Sequence, residues 1–180
     1  MDGMMLRPGA GRLISGGALH ATLKVPGGRN SLTSTFEIQV PPGYDVGAHV
    51  HGEGVELFYV VDGELDLLAF EPTVRSPGDW HTWTSRSGDR FLRGGPGALL
   101  FVPAGCPHAF ANPTDQPATM LFQSALSDHD EYFEELAALL RAGDGGRPDL
   151  EAIAEVRARY GIEQLTKLSV ASSKAGLPQV

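Results

Sequence analysis

The sequence contains a single cysteine, Cys106, among its 180 residues. One thiol cannot form an intramolecular disulfide, which excludes the small secreted scaffolds that disulfides hold together. Such a composition is typical of a reducing compartment, and we expect the protein to be cytoplasmic.

Basic residues are also scarce. Lys and Arg number 14 against 22 Asp and Glu, which gives a formal net charge of -8 at pH 7 and a pI near 5.1. The acidic residues are spread along the chain, and no basic stripe or helix-turn-helix pattern is present. This charge balance argues against nucleic acid and against anionic membrane surfaces as partners.

Long hydrophobic runs are missing as well. No apolar segment approaches the length needed to cross a bilayer, and the first residues lack the basic and apolar segments of a signal peptide. We therefore expect a soluble protein whose main partner is a small molecule.

The sequence does contain many short apolar segments separated by Gly and Pro. At 42% hydrophobic residues, a chain of this length can form one core of ordinary size. Asp62-Gly63 between two of these segments is a strong hairpin signal. Because no helical pattern intervenes, the segments favour an antiparallel sandwich or barrel. The predicted strands are 20–24, 32–40, 55–61, 64–70, 98–102, 108–111 and 118–124.

Helical periodicity begins only towards the C-terminus. An acidic stretch from Asp128 precedes apolar residues that recur every three or four positions up to Leu140. Pro148-Asp149 then opens a second such stretch, which Gly161 ends. We expect both helices to pack outside the sheet. The predicted units are a barrel over 1–127, a helical extension over 128–165 and a flexible tail over 166–180, where periodicity is lost.

Three histidines and one glutamate have the spacing of a metal site: His49, His51, Glu56 and His108. Strand side chains alternate, so the first two imidazoles point to one face, which in a barrel is the interior. Glu56 begins the next strand, and His108 is expected to enter from a distant strand across the barrel. Divalent transition metals prefer such ligands, and burying them without partners would be costly.

These residues predict one bound divalent ion, either Fe, Mn, Ni, Co or Zn, since the pattern does not choose among them. An exposed strand or loop that happens to carry the same residues is the alternative interpretation. The remaining histidines, His20, His81 and His129, lack this spacing and are predicted to lie at the surface.

Two stretches that contain the predicted ligands resemble the conserved motifs of the cupin superfamily. They are Gly43-x5-His49-x-His51-x4-Glu56-x6-Gly63 over 43–63 and Gly97-x5-Pro103-x-Gly105-x2-His108-x3-Asn112 over 97–112. The resemblance implies an all-β cupin jelly-roll β-barrel, often a homodimer, here with short C-terminal helices. It assigns metal binding to the three histidines and the glutamate, and structural turn roles to the other motif positions.

The pocket around the metal is expected to be apolar and partly aromatic. If Glu56 points inward, alternate residues along its strand do so too. Such a pocket suits a flat substrate that chelates the metal through oxygen atoms, such as a catechol, an enol or a β-diketone. The predicted pocket residues are Phe36, Ile38, Phe58, Val60, Phe101, Phe110 and Phe122.

Three classes of function fit this pocket. The first is a metal-dependent oxidoreductase of dioxygenase type, with Glu56 as metal ligand and proton acceptor, as the resemblance to quercetinase-type single-domain cupins implies. The second is a redox-neutral isomerase, cyclase or decarboxylase that uses the metal as a Lewis acid on a polyketide-like or dicarbonyl substrate. The third is a non-catalytic cupin that binds a small molecule. Oxygen consumption separates the first two.

Three further features each have two interpretations. Trp80 and Trp83 could belong to a lid over the barrel mouth or to a packed outer strand. Cys106 could lie near the metal or be an ordinary turn residue. Tyr44 could reach the pocket or remain in a surface turn.

Overall fold

Two antiparallel β-sheets face each other and enclose the hydrophobic core. The computed structural model describes residues 3–28, 31–126, 128–142 and 149–169. Its elements are β1 (Arg12–Gly16), β2 (Leu19–Val25), β3 (Ser34–Val40), β4 (His49–His51), β5 (Glu56–Asp62), β6 (Leu65–Ala69), a 3-10 turn (Trp80–Thr82), β7 (Leu92–Gly94), β8 (Leu99–Val102), β9 (His108–Ala111), β10 (Ala118–Ser124), α1 (His129–Ala142), α2 (Leu150–Arg159) and β11 (Ile162–Gln164).

The strand order is that of a jelly roll. One sheet has six strands in the order β1-β2-β3-β10-β5-β8, and the other has five in the order β11-β4-β9-β6-β7. The predicted all-β fold is confirmed, and each predicted strand is present within two residues of its expected bounds. β1, β7 and β11 are not predicted. β7 and β11 have three residues each, which are too few to show an alternation.

Aromatic rings on the inner face of the six-stranded sheet form the centre of the core. Phe122 on β10 lies directly opposite Phe36 on β3 and Phe58 on β5. The ring centroids are 5.8 Å apart for the first pair and 4.8 Å apart for the second. Cross-strand aromatic pairs of this kind stabilise a sheet and fix its register.

The motif residues outside the ligand set hold tight turns, as predicted. Gly63 has a φ of 76°, and a Cβ atom there would come within 2.8 Å of Ala118. The Asn112 side chain is buried and donates hydrogen bonds to the carbonyl oxygens of Val40 and Gln116, at 2.9 and 2.7 Å. These contacts join the β5–β6 turn to β10, and the end of β3 to the β9–β10 loop.

α1 contributes directly to the barrel core. Its apolar stripe of Tyr132, Phe133, Leu136 and Ala137 belongs to the same buried cluster as the inner faces of the sheets. The Phe133 ring lies 4.9 Å from that of Phe36. The expectation that the helices pack outside the sheet therefore does not describe α1, because its apolar side chains meet the aromatic residues of the barrel interior.

The chain after α1 returns to the barrel. Asp149 caps α2 by accepting hydrogen bonds from the backbone N–H groups of Glu151 and Ala152. β11 then pairs with β4, the strand that carries two of the predicted metal ligands. Among the described residues, neither helix is long and apolar enough to span a membrane.

The predicted flexible tail begins with residues that are packed. Thr166 is buried, and its Oγ1 accepts a hydrogen bond of 2.8 Å from the backbone N–H of Ala48. Ser169 and Asp45 exchange two backbone hydrogen bonds of 3.0 Å. The packed chain therefore continues to residue 169, and the rest of the predicted tail lies outside the described residues.

Trp80 and Trp83 lie in a second, smaller cluster. They are buried with Leu68 of β6 and with Ala109 and Ala111 of β9. Because Ala109 alternates with His108 along β9, this cluster packs on the sheet face opposite to the metal residues. The tryptophans form neither a lid nor a strand, and the 3-10 turn fastens them to the outside of the barrel.

Candidate metal centre

Three of the predicted ligands converge in the space between the two sheets. The Oε2 atom of Glu56 lies 3.2 Å from Nε2 of His51 and 3.1 Å from Nε2 of His108. The candidate ligand atoms of these residues all lie within 4.8 Å of one another, and all three side chains are buried. β4 and β9 supply the imidazoles from one sheet, and β5 supplies the carboxylate from the other.

Backbone carbonyls fix the orientation and the tautomer of the imidazoles. Nδ1 of His51 lies 2.8 Å from the carbonyl oxygen of Glu53, and Nδ1 of His108 lies 3.0 Å from that of Cys106. A carbonyl oxygen can only accept, so each Nδ1 carries a proton, and in the neutral ring each Nε2 then presents a lone pair. This is the arrangement by which a neighbouring group prepares a histidine for metal binding.

The buried nitrogen atoms fit a cation. Although both Nε2 atoms are close to Glu56, neither makes a hydrogen bond with proper geometry to any described group. Buried polar atoms without a partner are rare and costly. Two lone pairs and one carboxylate aimed at a shared point are a donor set that suits a divalent transition metal.

His49 lies beside this group but is not part of it. It is directly opposite His108 across the β4–β9 pair, with the ring centroids 4.1 Å apart, and its Nδ1 lies 2.9 Å from the carbonyl oxygen of Gly47. The expectation that His108 enters from a distant strand across the barrel is wrong. His108 comes from the strand next to β4, and Glu56 is the ligand that faces the imidazoles from the opposite sheet.

The charges of the site favour an ionised glutamate. Burial tends to raise the pKa of Glu56, but the His108 and His51 imidazoles outweigh it and hold the pKa well below its usual range. Burial similarly opposes a charge on His51, yet the Glu56 carboxylate raises the pKa of that imidazole. Burial and the neighbouring His108 lower the pKa of His49, so this ring is neutral at pH 7.

His129 is a site residue that the sequence does not reveal. It was predicted at the surface, but it is buried at the start of α1, with Nδ1 3.8 Å from Oε1 of Glu56. Burial lowers the pKa of His129 to about 4, so the ring is neutral at pH 7. Its position follows from the docking of α1 on Phe122, whose ring is 4.9 Å away. His20 and His81 remain partly exposed outside the cavity.

The cavity above the ligands is narrow and mostly apolar. Its free volume is about 60 Å³, which corresponds to on the order of four to six water molecules. α1, α2 and β11 form one of its walls. The lining residues are Ala18, Leu19, Ile38, Gln39, Val40, Pro41, Tyr44, Val46, His49, His51, Glu56, Phe58, Phe110, Phe122, His129, Tyr132, Phe133, Leu136, Arg157 and Ile162.

Four of the seven predicted pocket residues line this cavity: Ile38, Phe58, Phe110 and Phe122. Phe36 and Val60 are instead fully buried in the core behind it. The prediction that Phe101 lines the pocket is wrong, because this residue lies on the outer face of its sheet. It is 54% exposed, because Val102 and Leu100 pair with the inward residues of β5, and Phe101 pairs with the outward Leu57.

Tyr44 belongs to the cavity, whereas the Cys106 thiol does not belong to the ligand cluster. Tyr44 lines the cavity and packs on Phe110 at 6.0 Å between ring centroids, and burial raises its pKa to about 12. The thiol of Cys106 is not among the clustered ligand atoms, and burial raises its pKa. Its backbone carbonyl, in contrast, orients His108.

Several solved structures are similar to this chain at low sequence identity. A sugar phosphate isomerase from a cupin superfamily of Silicibacter pomeroyi DSS-3 is 22% identical over 59% of each chain, with a TM-score of 0.42. Oxalate decarboxylase from Bacillus subtilis is 18% identical over 62% of this chain and 26% of its own, with a TM-score of 0.45. A Cupin 2 conserved barrel domain protein from Salinispora arenicola CNS-205 is 20% identical over 88% of this chain and 99% of its own, with a TM-score of 0.47.

The chain thus spans 59% of the isomerase and 26% of the decarboxylase. No curated protein sequence matches it significantly. The family model described as Cupin, however, matches residues 18–142, which is more than half of the chain. With the jelly-roll strand order and the clustered histidine and glutamate ligands, this match shows that the chain belongs to the cupin family.

Proposed function

We propose that this cupin is a metal-dependent enzyme that converts a small, oxygen-chelating substrate in the apolar cavity. The observation that carries the proposal is the convergence of His51, Glu56 and His108 on one buried point, with two Nε2 atoms left without hydrogen bonds. We include His49 as the fourth ligand, because it faces the same cavity beside His108.

The protein residues have distinct tasks in such an enzyme. A divalent ion supplies Lewis acidity, which lowers the pKa of a substrate hydroxyl. Glu56 is ionised at pH 7 and is the carboxylate that accepts the proton released there. Phe58, Phe110 and Phe122 line the cavity and exclude water from the reacting atoms.

A dioxygenase is the reaction type that we propose first. In that reaction both atoms of O2 are added to the deprotonated substrate, so no external reductant is required. The apolar walls support it because they keep water away from reactive species. The free volume of about 60 Å³ is too small for a flavonol ring system and favours a compact enol, β-diketone or hydroxy acid.

A redox-neutral isomerase, cyclase or decarboxylase is the second candidate. It is favoured by His129, whose neutral ring lies 3.8 Å from the Glu56 carboxylate. Two buried proton-accepting groups side by side suit a reaction that moves a proton between two positions of one substrate. This reaction would proceed without O2.

Metal analysis and oxygen uptake test these proposals together. The purified protein should contain about one divalent metal ion per chain, measured by elemental analysis. A panel of small enols, β-diketones and hydroxy acids should then be screened for O2 consumption and, under anaerobic conditions, for product formation. Turnover that requires O2 supports the dioxygenase, and turnover without O2 supports the second candidate. Absence of metal binding would contradict both.

Substitution of the ligands provides a direct prediction. His51→Ala, His108→Ala or Glu56→Ala should each remove most of the bound metal, because each deletes a ligand atom of the buried group. His49→Ala is expected to do the same if this imidazole is the fourth ligand. His20→Ala, outside the cavity, is the matched control and should retain the metal. Full metal content and turnover in Glu56→Ala would refute its assignment as ligand and base.

A further inference from the structure

Arg157 is a buried cation in the wall of the metal cavity. Arg157 is only 4% exposed, and it is one of the residues that line the cavity. Nε is buried without a hydrogen bond, and within the described ranges the guanidinium makes no ion pair with any Asp or Glu. Among the residues that the structure describes, no carboxylate lies within ion-pair distance of this buried positive charge.

Other arginines of the chain have carboxylate partners. Arg93 pairs with Asp66, and Arg75 pairs with Glu71. Arg159, two residues further along the same helix, pairs with Glu135. These arginines are all more exposed than Arg157 and need a partner less. A buried charge without a counter-ion is strongly unfavourable, and such groups are characteristic of binding sites that are completed by a ligand.

The surroundings of Arg157 define what the ligand should present. Tyr44 lines the same cavity, and its phenol stays protonated at pH 7, so its hydroxyl can donate a hydrogen bond. Arg157 and His49 line the same cavity. The guanidinium therefore shares this cavity with the proposed metal ligands, and it offers the planar donor pair that fits a carboxylate.

We propose that Arg157 binds a substrate carboxylate, which makes the substrate a small carboxylic acid with a hydroxyl or keto oxygen for the metal. The binding of the hydroxyl or keto oxygen to the metal rests on the proposed function above, whereas the binding of a carboxylate by Arg157 does not. The free volume of about 60 Å³ limits the remainder of the molecule to a short apolar group. Glu56 offsets only part of the positive charge of a divalent ion and Arg157, so an anionic substrate also balances the charge of the site.

Binding of lactate and its neutral analogue lactamide tests this inference. The two probes differ only in the group that Arg157 should recognise. Isothermal titration and thermal unfolding are measured on the metal-loaded and the metal-free protein at constant ionic strength. In both forms, lactate should bind about tenfold or more tightly than lactamide, and Arg157→Gln should remove this difference. Arg159→Gln, an exposed residue on the same helix, is the matched control and should bind lactate like the wild type.

A second readout distinguishes ligand binding from a structural role. Without ligand, Arg157→Gln should have a Tm equal to or higher than the wild type, because the substitution removes an uncompensated buried charge. A marked loss of Tm would show that Arg157 is a structural residue and would overturn the inference. Equal binding of lactate by the wild type and Arg157→Gln would also overturn it. If the wild type prefers lactate but binds no metal, the proposed function fails and the carboxylate site remains.

Discussion

His129 gives the site a measurable pH dependence. Its ring takes up a proton near pH 6.5 in the unfolded chain, but burial lowers the pKa to about 4 in the folded protein. Between these values the unfolded chain binds more protons, so the free energy of unfolding should fall as the pH falls from 6.5 to 4. The full effect of this residue is on the order of 3 kcal/mol. Urea unfolding of the metal-free protein at several pH values measures it.

His129→Asn is the variant that isolates this contribution. Asparagine keeps a polar group near Glu56 but has no proton to gain, so the stability of the variant should decrease less over the same pH range. His49, whose pKa is also lowered, contributes in the same direction in both proteins. Identical slopes for the wild type and the variant would show that His129 is not responsible.

The clustering of His51, Glu56 and His108 could be predicted from the sequence, and most of the cavity wall could not. His49 and His51 are two positions apart on a strand, and this spacing alone places both on one face. The prediction for Phe101 is wrong, because an apolar residue between apolar neighbours on a strand gives no indication of which face of the sheet it lies on. His129 could not be assigned because its burial depends on the docking of α1 and not on its own spacing.

At the level of elements, β1 and α1 pack closely at Gly16. A Cβ atom on Gly16 would lie 2.1 Å from the backbone oxygen of Ala137, so only glycine allows the helix to approach this strand. Gly16→Ala should displace α1 and lower the stability by about 1–3 kcal/mol. Because α1 forms part of the cavity wall, lactate binding should weaken as well. Thermal unfolding and titration measure the two effects.

Gly52→Ala is the control for this substitution. Nothing lies within 4 Å of a Cβ atom at Gly52, and the φ of this residue is not in the left-handed region. The Tm of the Gly52→Ala variant should therefore remain close to that of the wild type. If Gly16→Ala had an unchanged Tm and unchanged lactate binding, the contact between β1 and α1 would not hold the wall in place.

The apolar periodicity of the C-terminal region predicts the helices but not their packing partners. The apolar stripe from Tyr132 to Leu140 predicts a helix, and α1 covers these residues. Periodicity identifies the apolar face of a helix but not the surface against which it packs. The wall formed by α1, Arg157 and β11 depends on contacts between residues that are far apart in sequence, such as Ile162 with His51. No local pattern contains that information.

At the scale of the whole molecule, the six-stranded sheet has an apolar patch on its outer face. Tyr59 lies opposite Leu121 and Leu99 on neighbouring strands, and Phe101 follows on β8. These four side chains are between 36% and 54% exposed, although they are large and adjacent. Among the described strands, β8 is also an edge of its sheet. A contiguous apolar patch beside a free edge is typical of a protein interface.

The homodimer expected from the family resemblance should therefore form through this patch. Sedimentation or light scattering should give twice the mass of the chain for the wild type. Phe101→Glu should give the monomer mass, because it places a charge in the apolar patch. It should retain metal, since Phe101 faces away from the cavity. Val74→Glu, at a residue that is 71% exposed in a different region, should remain dimeric. A monomeric wild type, or a dimeric Phe101→Glu variant, would show that the patch is not the interface.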